Sequence, residues 1–203
     1  MRKIFVTGIG TGVGKTVVSA VLVQALKADY WKPIQTGMEF GTDSERIKKL
    51  TNIEKSVFHP ERYCFKAPIA PHASAKAENI HIDFESINLP ETNNMLIIEG
   101  AGGLLVPLNE KYFIIDLINK FDAEVILVVQ NYLGNINHTL LSIEALKNRN
   151  VNILGIIISG LENKSSEEII LDYSKLKLLG RIYREANITL EVIKKYEVQF
   201  STI

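Results

Sequence analysis

Four stretches of this 203-residue chain hold residue types at spacings that could do chemistry. The first is Gly8-Ile9-Gly10-Thr11-Gly12-Val13-Gly14-Lys15-Thr16. Glycines let backbone N–H groups turn inward with no Cβ in the way, so such a loop can cradle phosphate oxygens. A lysine closing the loop reaches the β- and γ-phosphates of a nucleotide, and the hydroxyl after it can bind Mg²⁺. Ile9 stands where the common form of the loop has its first glycine, so the spacing is widened towards Gly8. The second stretch carries Lys32 and Thr36, in Lys32-Pro33-Ile34-Gln35-Thr36-Gly37, with Asp43 a few residues on. Lys32 reads either as a second cation for an anionic substrate or transferring phosphoryl group, or as a snorkelling surface lysine. Position alone leaves both open.

The third stretch is Glu99-Gly100-Ala101-Gly102-Gly103, directly after an apolar run. An acidic residue at that point of a nucleotide-binding sheet holds Mg²⁺ directly or through water. Asp43 could be a second metal-side carboxylate, although a first-turn Asp is also favoured by the helix dipole alone. The fourth stretch, Leu133-Gly134-Asn135-Ile136-Asn137-His138, turns into a helix. Free N–H groups at such a start attract a carboxylate or phosphate; an ordinary N-cap by Asn135 or Asn137 is the plainer reading. His138 reads as structural, and His59, His72 and His81 lack metal-ligand spacing. Cys64, the single cysteine, reads as a partly buried small hydrophobe in a reducing compartment.

The elements that must position these residues show in the apolar runs. Ile4–Val6, Met95–Ile98, Val125–Val129 and Ile153–Ile158 are continuous rather than alternating, with weaker runs at Tyr30–Ile34 and Leu178–Ile182. Continuous runs mark strands buried on both faces of a parallel sheet. Helices are expected after Lys15, from the Thr42-Asp43-Ser44-Glu45 capping box, near Phe113–Lys120, from Asn137 to about Lys147, from a second capping box at Ser165-Ser166-Glu167-Glu168, and over Thr189–Tyr196. Strand–helix alternation predicts one α/β domain over 1–203, a doubly wound, mostly parallel sheet with helices on both faces. Ligands of such sheets sit at the carboxyl ends of the strands, where the four stretches fall. The segment from about Thr51 to Pro90 is irregular and reads as a functional loop or a surface excursion.

Composition narrows the classes. Lys plus Arg and Asp plus Glu both number 23, so there is no net basic pull towards nucleic acid or an acidic membrane. No stretch approaches the roughly 18 apolar residues of a membrane span. Glycines from Gly8 onwards break any signal-peptide core, and the expected compartment is the cytoplasm.

Taken in order, Val6 to Thr16 with its widened loop, Lys32 to Gly37, the Thr42-Asp43 step, Pro71-His72-Ala73-Ser74-Ala75, Glu99 to Gly103 and Leu133 to His138 resemble the motifs of dethiobiotin synthetase, over roughly Met1 to Gly160. The resemblance implies a P-loop NTPase-like fold and a ligase that closes a cyclic urea on 7,8-diaminononanoate with CO₂ and ATP, in biotin synthesis. It implies that Lys15, Lys32 and Thr11 act on the phosphoryl and carbamate groups. Gly12, Val13, Gly14, Lys15, Thr16, Val17, Asp43, Glu99, Gly100, Ala101 and Gly102 would bind the nucleotide, with Thr16, Asp43 and Glu99 on Mg²⁺. Thr36, Gly134, Asn135 and Asn137 would bind substrate, the last three across the interface of a homodimer. Two departures stand out: Ser159, followed by Gly160, replaces the family's adenine-contacting Asn, and Tyr183 replaces a Pro. These three are the base contacts carried forward. The interval from Lys15 to Lys32 is also shorter than in many relatives.

The chief rival is a nucleotide-switch ATPase of the cell-division-positioning type. Such proteins usually carry an extra lysine early in the loop, where this chain has Gly8-Ile9-Gly10. An amidotransferase synthetase would need room for a second, glutamine-hydrolysing domain.

Overall fold

A computed structural model describes residues 1–203, the side chain of Phe40 excepted. The strands are β1 (Lys3–Gly8), β2 (Asp29–Trp31), β3 (Ile34–Thr36), β4 (Phe58–His59), β5 (Tyr63–Phe65), β6 (Leu96–Gly103), β7 (Glu124–Gln130), β8 (Ile153–Ser159) and β9 (Leu178–Ile182). The helices are α1 (Lys15–Leu26), α2 (Asp43–Leu50), α3 (Pro71–Ala77), α4 (Ile114–Phe121), α5 (Asn135–Lys147), α6 (Lys164–Ser174) and α7 (Leu190–Phe200). Seven strands form one parallel sheet in the order β4-β2-β6-β1-β7-β8-β9, and β3 pairs in parallel with β5 in a second, two-stranded sheet.

Successive strand residues point to opposite faces, and both faces here are covered. Ile4, Val6, Ile126, Val128 and Ile157 pack with α1 and α7 residues such as Val21, Leu22, Ile193 and Phe200. Phe5, Ile98 and Val125 face α4 through Ile114, Leu117 and Ile118. Leu127, Val129, Ile156 and Ile158 face Ile143 of α5 and Ile170 of α6. This double burial is the reason the strands read as continuous apolar runs. Because β1 lies between β6 and β7, the chain leaves its neighbourhood in both directions, and a crevice opens at the carboxyl end of β1.

Four expectations shift. The Tyr30–Ile34 run is not one strand: Lys32 and Pro33 separate β2, in the large sheet, from β3, in the small one. Proline has no N–H to give a ladder, so the run breaks there. The helix expected from Asn137 starts at Asn135, with Gly134 as its cap at φ +101°. The Ser165-Ser166-Glu167-Glu168 box does not form: α6 already starts at Lys164, Asn163 caps it by accepting the Ser166 N–H at 3.2 Å, and Ser165 falls inside the helix. The 51–90 segment is neither a free loop nor a bare excursion. It supplies β4, β5 and α3, and buries Phe65, Ile82, Phe84 and Ile87 in the core. The Thr42 capping box forms as expected, with the Thr42 hydroxyl accepting from the Glu45 N–H and the Glu45 carboxylate accepting from the Thr42 N–H, each at 3.2 Å.

Candidate active site

The loop after β1 ends at Gly14, which adopts φ +94°, a conformation that L side chains rarely take; a Cβ there would also meet the Ser159 Oγ at 2.5 Å. No side chain caps α1, so the N–H groups of its first turn stay open to an anion. Val13 is buried in the core behind the loop and can offer only its backbone. Lys15 spans the loop and donates to the Gly10 carbonyl at 2.8 Å. Burial pulls its pKa down to about 8, opposed by the Glu99 carboxylate and reinforced by the Lys32 cation.

Lys32 is 6% exposed, which removes the surface-lysine reading. The break between β2 and β3 turns it inward, where its ammonium meets Asp43, the first residue of α2, and Glu99 Oε1 at 3.4 Å. Burial alone would depress its pKa; the Glu99 and Asp43 carboxylates outweigh burial and hold it above the ordinary lysine value. Glu99 is 1% exposed. It does not end its strand, as the apolar run suggested, but sits inside β6 opposite Val6. Its Oε1 accepts from the Thr16 hydroxyl at 2.9 Å and its Oε2 from the Tyr30 hydroxyl at 3.0 Å.

These groups share one cavity of about 470 Å³. Thr11, Gly12, Gly14, Lys15, Thr16 and Val17 form its loop wall. Lys32, Thr36, Asp43 and Glu99 form the charged wall, and Ala101 and Gly102 close it from β6. Gly100 lies outside, where a Cβ would strike Phe5 at 2.7 Å. The remaining wall is apolar: Pro68, Ile69, Ala70 and Pro71 before and at the start of α3, with Val106 opposite. Sequence reasoning missed three contributors. Gln35 accepts from the Asp43 N–H at 3.3 Å and donates to the Thr36 carbonyl at 2.8 Å, fixing both to one strand. Arg46 lines the same cavity, and its spacing of three from Asp43 on a helix was a usable signal. Tyr30 left no signal, being read as part of an apolar strand.

The other predicted residues lie elsewhere. Ser159 ends β8 behind the Gly14 turn, followed by Gly160 at φ +89°. Tyr183 is exposed, with the Arg181 guanidinium 5.5 Å from its ring centroid. Gly134, Asn135 and Asn137 line a separate cavity of about 760 Å³, which shares no residue with the first. Asn135 is buried there and its amide donates to Asn131 Oδ1 at 2.8 Å; Asn137 is exposed. His138 pairs through Nδ1 with the Tyr132 hydroxyl at 2.8 Å. Cys64 is half-buried, and burial, helped by nearby Glu61, pushes its thiol up to about 11, which fits an inert thiol.

A hard divalent cation fits this donor set. Thr16, Asp43 and Glu99 present only oxygens to one wall. Among the described residues no group of three His, Cys, Asp or Glu is placed to hold a metal ion on its own.

The matches to known proteins agree with this geometry. The family model described as "AAA domain" matches residues 2–191. The chain is 51% identical to the ATP-dependent dethiobiotin synthetase of Cytophaga hutchinsonii, over 98% of this chain and 97% of that one. It is likewise 51% identical to the one of Christiangramia forsetii, over 98% and 96%. Among solved structures, a plasmid partition protein from Borrelia burgdorferi superposes with a TM-score of 0.59 at 15% identity, over 98% and 96% of the two chains. The septum site-determining protein MinD of Pyrococcus horikoshii, complexed with Mg-ADP, gives 0.57 at 18%, over 98% and 91%. At such identities the likeness is one of fold, a P-loop α/β sheet. Identity over half the positions is another matter: it runs nearly the whole length of both relatives, and it makes this chain a member of the dethiobiotin synthetase family.

Proposed function

We propose that the 470 Å³ cavity is where this chain closes the ureido ring of dethiobiotin from 7,8-diaminononanoate, CO₂ and ATP. The observation that carries the reading is Lys32: a buried ammonium on the same cavity as the phosphate loop, held in place by Asp43 and Glu99. One substrate amine takes up CO₂ as a carbamate and releases a proton. The carbamate oxygen attacks the γ-phosphorus, ADP leaves, and a carbamic–phosphoric anhydride forms. The second amine then attacks the carbonyl carbon, the ring closes and phosphate is expelled. The nucleophile comes from the substrate throughout, so the protein's task is positioning and charge.

Lys15 and the open first turn of α1 hold the nucleotide phosphates, and Lys32 faces the carbamate and the transferring group. Thr36 hydrogen-bonds the carbamate end, and Thr11 stands over the phosphoryl group from the loop. The apolar wall from Pro68 to Pro71 suits the substrate's hydrocarbon chain. Thr16, Asp43 and Glu99 would hold Mg²⁺, and the charge the ion supplies would offset that of the phosphates. Ser159, Gly160 and Tyr183, behind the Gly14 turn and beyond, receive the base.

The α5 start reaches this cavity only from a second copy. The α5 corner exposes Tyr132, Leu133 and Leu161 around Gly134, Asn135 and Asn137. A homodimer that covers these apolar side chains brings the α5 N-terminus of one protomer to the substrate carboxylate in the other. No described helix is long and apolar enough to cross a membrane, and the reaction draws on small molecules of the cytoplasm.

Purified protein supplied with diaminononanoate, bicarbonate and Mg-ATP should release phosphate in proportion to dethiobiotin formed. ATP hydrolysis that ignores the diamine would favour the nucleotide-switch reading instead.

A further inference from the structure

Glu99 divides its carboxylate between two environments. Oε1 faces the cavity, where Thr16 and Lys32 reach it at 2.9 and 3.4 Å. Oε2 faces the interior, and the partner it has there is the Tyr30 hydroxyl at 3.0 Å. Tyr30 is fully buried in β2, one strand over from Glu99 in the sheet, with its ring 6.0 Å from that of Phe58. A buried carboxylate oxygen without a donor favours protonation or rotation of the group. A second partner behind a metal-side carboxylate fixes its aim.

We propose that Tyr30 is a positioning residue for cation binding: its hydroxyl pins Oε2 and so presents Oε1 to the cation that accompanies the nucleotide. The inference rests on the reading of Glu99 as a Mg²⁺ ligand. Tyr30 does not line the cavity. It acts through Glu99 alone.

The test is a Mg²⁺ titration of binding of a fluorescent ATP analogue to the full chain, in wild type, Tyr30→Phe, Glu99→Gln and the double variant. Tyr30→Phe should raise the half-saturating Mg²⁺ concentration about tenfold, with binding of the analogue in EDTA unchanged. In the Glu99→Gln background the Tyr30→Phe change should add nothing, since both act on one carboxylate. A purely structural role for Tyr30 would lower the melting temperature and leave the Mg²⁺ titration in place. A titration moved by Glu99→Gln but not by Tyr30→Phe, or additive effects in the double variant, overturns the inference alone. A titration that Glu99→Gln does not move takes down the metal reading of Glu99 and this inference with it. Should Tyr30→Phe not fold, 3-fluorotyrosine placed at position 30 keeps the shape and the donor. Its fluorine resonance should move when Mg²⁺ is added to the analogue-bound protein and stay still when Glu99 is Gln. A resonance that Mg²⁺ leaves unmoved with Glu99 intact overturns the proposal.

Discussion

The charged cavity and the α5 corner sit at the same edge of one sheet and are built in opposite ways. In the cavity, the buried charged groups are partnered within the chain: Lys32 with Asp43 and Glu99, Glu99 with Thr16 and Tyr30, Lys15 with the Gly10 carbonyl. At the corner the helix start is open, Asn137 is exposed, and Leu133 stands fully out of the protein at 103% of its reference exposure. Buried charge is costly unless each partner is in place, so the chemical half has to be completed by one chain. A helix N-terminus can hold an anion through backbone dipoles that exist whether or not anything is bound, so in the proposed reading the recognition half is completed by a second copy. In that reading the rigid electrostatics sit where charge moves and recognition is left at a surface.

Breaking the charged half should have the largest effect. Lys32→Ala should cut turnover by about 10²–10³-fold, the usual loss for one preorganised donor to a developing charge, with nucleotide affinity kept. A variant with near-normal kcat in the phosphate-release assay would remove Lys32 from the carbamate role. Glu99→Gln should raise the half-saturating Mg²⁺ concentration about 10–100-fold, read by the same assay as a function of Mg²⁺. At the open half, Leu133→Glu should weaken self-association by at least about tenfold, since a charge replaces an apolar anchor at the contact. Sedimentation velocity reads this, and KM for the diamine should rise with it while nucleotide binding stays put. A monomeric wild type would dissolve the contrast between the two regions.

The smallest effect serves as a control from the far end of the sheet. Asp29 opens β2, is 2% exposed, and accepts from the Thr92 hydroxyl at 2.6 Å, the Val57 N–H at 2.9 Å and the Asn94 amide at 3.1 Å. Burial pushes its pKa up, but these donors, with His59 beside it, outweigh burial and hold the carboxyl below its ordinary value. A carboxyl group whose folded pKa lies below the unfolded one stabilises the fold above the ordinary carboxylate range. That contribution is lost as pH falls through the folded value. Asp29→Asn should therefore cost about 1–3 kcal/mol of stability at neutral pH, and the gap to wild type in urea melts should close as pH drops below about 4. Its Mg²⁺ titration should match wild type.

Several residues show where sequence reasoning stopped. The phosphate loop was legible because glycine spacing is a backbone requirement written directly into residue type. The parallel sheet was legible because burial on both faces leaves runs of Val, Ile and Leu. Leu178–Ile182 was read to its exact ends as a weak strand and is β9. Lys32 was undecided, because a lysine at a strand end looks the same whether the chain turns it in or out. Pro33 is the reason it turns in, and that became visible only once β2 and β3 were seen in different sheets. The second capping box failed because Asn163, two residues earlier, takes the cap and leaves Ser165 inside the helix.

By itself the sequence determined what depends on neighbours along the chain: the loop that binds phosphate, the alternation of strands and helices, the cap that starts α2 at Asp43, and through its motifs the family. Tertiary structure alone decided what depends on residues far apart meeting. Glu99 gains Tyr30 from 69 residues away and Thr16 from 83, and Lys32 is fixed by carboxylates on two other elements. The physical reason is one of range. Backbone conformation is set within a turn or two of chain, whereas the charge, aim and burial of a side chain are set by whichever elements the fold packs around it.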